Sequence, residues 1–211
     1  MLLDWNTIAA KYDLANKVTG VIHCGARIGE EADYYQSAGI DNVWWVEAND
    51  NILVTLAQNV VHRGHKVIHA LVWDEDEVEF NFNVTNLDGM SSSILSFGTH
   101  VQFSPEITVV ETKPMKTRRI DTLVDMFDIT NVNMLVLDIQ GVEAHALRGA
   151  ARLLPSLQFV MSEVNDQPVY IDCDQVWELD GILKDFDRVE TCWVPGQGWG
   201  DALYARKNNA G

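Results

Sequence analysis

Apolar and polar positions along the chain alternate between two periods. Trp5, Ile8, Ala9 and Tyr12 recur at helical spacing and predict a helix over 4–17, within an N-terminal helical segment 1–19. Gly20 ends it, and Val21–Cys24 reads as a short strand. Gly25 and Gly29 flank a turn into a helix over 30–37, which Gly39 stops. Val43–Glu47 is the next strand. Asn49 or Asp50 caps a helix whose apolar face is Ile52, Leu53, Leu56 and Val60, and a third strand covers 67–70. The period then becomes two. Val78, Phe80, Phe82 and Val84 alternate as in a strand with one buried face. Residues 86–105 carry Gly, Ser, Asn and Pro without periodicity and predict a long functional loop. A strand-like run follows over 107–120, where Pro114 demands an edge or a bulge. Helices over 121–127, 142–154 and 176–183 alternate with strands over 134–138 and 159–164. Two last strands flank Pro195-Gly196-Gln197-Gly198 as a hairpin.

Strands alternating with helices imply a mostly parallel sheet covered by helices on both faces, with the hairpin as an antiparallel edge. A length of 211 residues suits a single domain over 1–211, with 78–119 as a strand-and-loop insertion. Apolar residues make up 47% of the chain, enough for a core, but no run approaches the roughly 20 residues of a bilayer span. The start of the chain does not read as a signal peptide, so a cytoplasmic location is expected. Cys24, Cys173 and Cys192 lie far apart without a CxxC pair and read as reduced thiols. The net charge of −16 repels phosphate backbones and anionic membranes, so nucleic acid is excluded as a partner.

In open α/β sheets, ligands bind beyond the carboxyl ends of the strands. Gly25 ends the first strand there, and Glu47 ends the second about twenty residues later, a spacing at which a carboxylate commonly takes ribose hydroxyls. The turn 25–29 is spaced GxxxG. A dinucleotide site usually carries GxGxxG, because a pyrophosphate must rest on the helix N-terminus. The looser turn with Glu47 favours S-adenosylmethionine over NAD, leaving a NAD-linked oxidoreductase as the alternative. No GxSxG or Walker loop is present, nor an Asn-Pro-Pro-Tyr-like element of amino methylation.

The chain resembles the FkbM-family methyltransferases over 21–206. The resemblance rests on VIHCGARIGEE from Val21, VWWVEAN from Val43, SSSIL from Ser91, RIDTL from Arg119, MLVLDIQGVEAHALRGA from Met134, SEVN from Ser162 and GWGDALYARK from Gly198. It implies a class I methyltransferase, Rossmann-like α/β fold and S-adenosylmethionine-dependent transfer, generally to oxygen of a sugar, glycan or related small molecule. Gly25 and Glu47 match cofactor-binding positions, and Asp138 matches the aspartate ending the fourth core strand. His23, Gly29, Ala48 and Ala70 complete the candidate cofactor set. Many methyltransferases carry Asp where this chain has His23, and Asn where it has Arg27.

Methyl transfer to a hydroxyl needs an aligned acceptor oxygen and a group that takes its proton. Asp138 is the candidate base, its other role being a cap for the helix near Val142. Glu163 is a second candidate base. Glu143 either binds acceptor or complements the helix dipole. Gln140, Asn165, and Ser92, Ser93 and His100 of the long loop are candidate acceptor contacts, with the loop closing over the acceptor. Trp199 and Asp201 of the hairpin add a stacking face and a hydrogen-bond acceptor. A divalent cation on Asp138, Glu163 and Asp201 is possible but not favoured, so no metal ligand is assigned. His62 and His65 read as surface helix-end residues. A non-catalytic module that keeps the fold is a third reading.

Overall fold

The computed structural model describes residues 2–207. The first half of the chain forms α1 (Trp5–Tyr12), α2 (Leu14–Lys17), β1 (Val21–Cys24), α3 (Ala32–Ser37), β2 (Val43–Glu47), α4 (Leu53–Val60), β3 (Lys66–His69) and β4 (Leu71–Val72). Then come β5 (Glu79–Thr85), α5 (Asn86–Gly89), α6 (His100–Phe103), β6 (Val109–Arg118) and α7 (Ile120–Met126). The last part is β7 (Met134–Leu137), α8 (Glu143–Arg148), β8 (Phe159–Asn165), α9 (Val176–Ile182), β9 (Phe186–Trp193) and β10 (Trp199–Arg206).

Seven strands make the main sheet in the order β3-β2-β1-β7-β8-β10-β9. The first five of these run parallel, and β10 runs antiparallel to both β8 and β9. Chain order reverses between β1 and β7, which is where such sheets open a ligand crevice. Strand alternation sends Val21, Trp45, Val136 and Met161 to one face, against Ile8, Tyr35 and Leu56 of the early helices. Ile22, Val46, Leu135 and Val160 face the other way, against Leu123, Leu147 and Leu179 of α7, α8 and α9. The fold is the mostly parallel α/β sheet with helices on both faces that the pattern predicts, antiparallel hairpin included. A small second sheet, β4-β6-β5, rises beside it. Pro114 lies in β6 opposite Asn81, where β4 does not reach, so its missing N–H costs no ladder bond on that side.

Three predicted elements come out differently. The helix over 4–17 is two helices, because Asp13 turns left-handed (φ 58°) and its N–H caps Ala9 O. The helix over 142–154 ends at Arg148. The Asp121 carboxylate takes the N–H groups of Arg152 and Leu153 at 2.8 and 3.1 Å and draws them out of the helical ladder. The loop over 86–105 is pinned at both ends of its central stretch, by bridges Asn83–Ser93 and Phe97–Tyr170. Among the described residues, no helix is long and apolar enough to cross a membrane.

Candidate active site

Period-two alternation decides which side chains meet at the crevice. Counting outward from the core residues Trp45, Val136, Met161 and Leu203, the next same-face positions are Glu47, Asp138, Glu163 and Asp201. All four line one cavity of about 480 Å³ at the strand ends. Gly25, Ala48 and Ala70 line its β1–β3 side. Gly25 has φ +82°, and a Cβ there would stand 1.7 Å from Asp138 O, so no other residue fits between these strand ends. Gln140, Ser92, Ser93, His100 and Trp199 line the other side.

Gln140 ties the acidic groups together. Its Nε2 donates to Asp138 and, at 3.1 Å, to Glu163. The Tyr170 hydroxyl donates to its Oε1, which fixes the carboxamide's orientation. Ser93 Oγ donates to its backbone carbonyl at 2.8 Å. Burial, followed by the Asp201 charge, pushes the Asp138 carboxyl up to about 6. Burial and then Asp138 hold Glu163 well above the usual carboxylate range. Two carboxylates flanking one amide resist ionising together, so near neutrality the pair keeps a proton, and Asp138 is the member that releases first. That is the state of a proton acceptor working at neutral pH. Glu47 is pushed up to about 7 by burial, against the pull of backbone N–H bonds from Asn49 and Arg27, both 2.7 Å.

Four predicted contacts lie elsewhere. His23 is buried below the cavity, stacked on Trp45 at 4.7 Å, with Nδ1 2.9 Å from the Tyr35 hydroxyl. Burial lowers it to about 3, so it is a neutral ring packed in the core, outside the cavity lining. Gly29 packs on α4: a Cβ there would stand 2.6 Å from Val60. Glu143 is 1% exposed and accepts from the N–H groups of Ile139 and Gly141, bracing the turn that carries Gln140 rather than an acceptor. Asn165 is buried at the end of β8, outside the cavity lining. The helix-cap role weighed for Asp138 belongs to Asp174, whose Oδ2 accepts from Ala144 and His145 N–H at 2.8 and 3.2 Å. His65 is buried and accepts from Trp45 Nε1 at 3.2 Å, unlike the surface residue its position suggested. Among the described residues, no group of three or more His, Cys, Asp or Glu is arranged to hold a metal ion, and the Gln140 amide occupies the space between Asp138 and Glu163.

Tyr170 and Arg27 are among the cavity residues that the sequence pattern did not mark as contacts. Tyr170 sits in an irregular segment after β8, where no period marks it. Arg27, noted only as a departure from the common pattern, donates through Nη2 to Leu87 O at 3.0 Å and so ties the β1 turn to the long loop.

A family model described as the methyltransferase FkbM domain matches residues 23–190. The comparison with curated proteins finds no match. Among solved structures, a S-adenosylmethionine-dependent methyltransferase from Aquifex aeolicus is similar at TM-score 0.51 and 12% identity, over 98% of this chain and 91% of that one. Magnesium protoporphyrin IX methyltransferase (ChlM) from Synechocystis, with bound S-adenosylmethionine, gives TM-score 0.50 and 8% identity over 96% and 78%. A ribosomal protein L11 methylase from Lactobacillus delbrueckii gives 0.50 and 11% over 97% and 77%.

Proposed function

From the chain's membership of the FkbM methyltransferase family, we propose that it transfers a methyl group from S-adenosylmethionine to a hydroxyl oxygen of a sugar, glycan or related small molecule. S-adenosylmethionine is the cofactor, and the residues at the strand ends fit it. Each Glu47 carboxylate oxygen takes one backbone N–H and keeps lone pairs for ribose hydroxyls. Ala70, Leu71, Val72 and Ile139 supply an apolar wall for a flat ring. When bound, the cofactor supplies an electrophilic sulfonium methyl. The NAD-linked alternative does not fit this family.

The observation that carries the reading is the Asp138–Gln140–Glu163 cluster facing the same cavity as Glu47. Asp138 receives the hydroxyl proton as the acceptor oxygen attacks. The Gln140 amide orients the carboxylate. Ser92 and His100 offer hydroxyl and imidazole groups suited to a polyhydroxylated acceptor, on a loop that Ser93 anchors. Loop hydroxyls with acidic strand ends favour a neutral acceptor over an anionic one.

The test is turnover with a panel of neutral sugars and glycans, read as S-adenosylhomocysteine release and a methyl mass on the acceptor. Asp138→Asn is expected to lower kcat roughly 10²–10⁴-fold while cofactor binding persists. Methylation confined to nitrogen acceptors, or cofactor binding with no turnover on any glycan, overturns the reading.

A further inference from the structure

A second cavity of about 400 Å³ lies beside the first, and Phe103 and Gln197 line both. Its lining comes from the two ends of α6, the segment after β8, the end of β9 and the β9–β10 turn. None of it belongs to the cofactor half of the site. The chemistry is mixed. Trp193 and Phe103 give half-buried aromatic surface, while Asp166 and Gln167 are exposed. Gln197 accepts from Trp199 Nε1 through its Oε1 at 3.0 Å, which leaves its amide N–H groups for a ligand.

Aromatic faces beside planar amides and a carboxylate suit a sugar ring, which has apolar C–H faces and a rim of hydroxyls. Among the described residues, no Lys or Arg lines this cavity, so an anionic sugar or a phosphate has no cationic partner among them. Position agrees. Asp166 follows Glu163 by three residues, just past the end of β8, and at no more than about 3.3 Å each the two lie within roughly 10 Å, a disaccharide's reach.

We propose that the second cavity is a further acceptor subsite, which holds the neutral sugar residue next to the one methylated at Asp138. The preferred acceptor is then a neutral oligosaccharide rather than a free monosaccharide. This rests on the O-methyltransferase reading above. Phe103 and Gln197 form the passage between the two rings, and the hairpin turn sets which neighbouring sugar is accepted.

Gln167→Trp tests it. The Gln167 side chain is exposed and lies against Gly198, so an indole there fills the cavity without entering the Asp138 site. The wild-type protein is expected to use neutral di- and trisaccharides at least about tenfold better in kcat/KM than the matching monosaccharide. Gln167→Trp should erase that advantage and leave monosaccharide turnover and S-adenosylhomocysteine affinity unchanged. Asp166→Ala gives a milder second variant with the same direction. Equal use of mono- and oligosaccharides by the wild type, or an advantage that survives Gln167→Trp, overturns the subsite and leaves the parent reading standing. No turnover on any glycan overturns both.

Discussion

Tyr170 shows how one buried hydroxyl governs charged groups it does not touch. Burial raises its phenol well above the usual range, so it remains a hydrogen-bond donor at any working pH. Its proton points at Gln140 Oε1, which leaves Nε2 for Asp138 and Glu163. Those amide N–H groups stabilise the charged carboxylates and lower both. Tyr170→Phe frees the carboxamide to turn. Asp138 then loses its donor, and its carboxyl rises further above about 6. Because the unprotonated form is the active one, the acidic limb of the kcat/KM–pH profile should move to higher pH, by up to about 1 on the pH scale. A purely structural role for Tyr170 would lower the rate at every pH and leave the limb in place. No pattern in the sequence marks Tyr170, since its partner lies thirty residues earlier in a different turn. Asp138 and Glu163 were legible because they end strands, and a strand end in this fold is a defined place.

At the scale of elements, strands and the hairpin were readable because period-two alternation and glycine turns act locally. Helix ends were not, because the groups that stop them come from afar. Asp121 stops α8 from a position about thirty residues before the helix would end. The loop over 86–105 looked structureless for the same reason: Gln140 and Tyr170, which hold its central stretch, lie far along the chain. Ser93 is its anchor. The buried hydroxyl donates to Gln140 O at 2.8 Å and accepts from Leu95 N at 3.0 Å. Ser93→Ala strands both groups, at a cost of about 1–3 kcal/mol. Amide hydrogen exchange should quicken over 91–98, and the acceptor KM should rise while cofactor affinity holds. A raised KM with unchanged exchange would make Ser93 a direct acceptor contact instead of an anchor.

The whole molecule carries a net charge of −16 and buries several of its carboxylates at one end of the sheet. Glu47 moves from 4.5 to about 7, Asp138 from 3.8 to about 6 and Glu143 from 4.5 to about 8, each driven first by burial. In every case the folded state holds its proton more tightly than the unfolded chain. Between the ordinary and the raised values the folded state therefore binds more protons, and stability falls as pH rises. Buried His23, lowered from 6.5 to about 3, has the opposite sign and offsets part of this up to about pH 6.5, so the unliganded protein should lose Tm most clearly between about pH 6.5 and 8. A tenfold difference in proton affinity between the folded and unfolded states is worth about 1.4 kcal/mol, and a chain of this size loses roughly 2–4 °C for each kcal/mol. A fall of several degrees follows. Surface repulsion among the excess acidic groups has the same sign, but salt screens it within about a Debye length and leaves the buried groups alone. Scans at low and high salt separate the two. A slope that persists in high salt and becomes shallower in Glu47→Gln assigns it to the buried carboxylates. A slope that salt removes assigns it to the surface.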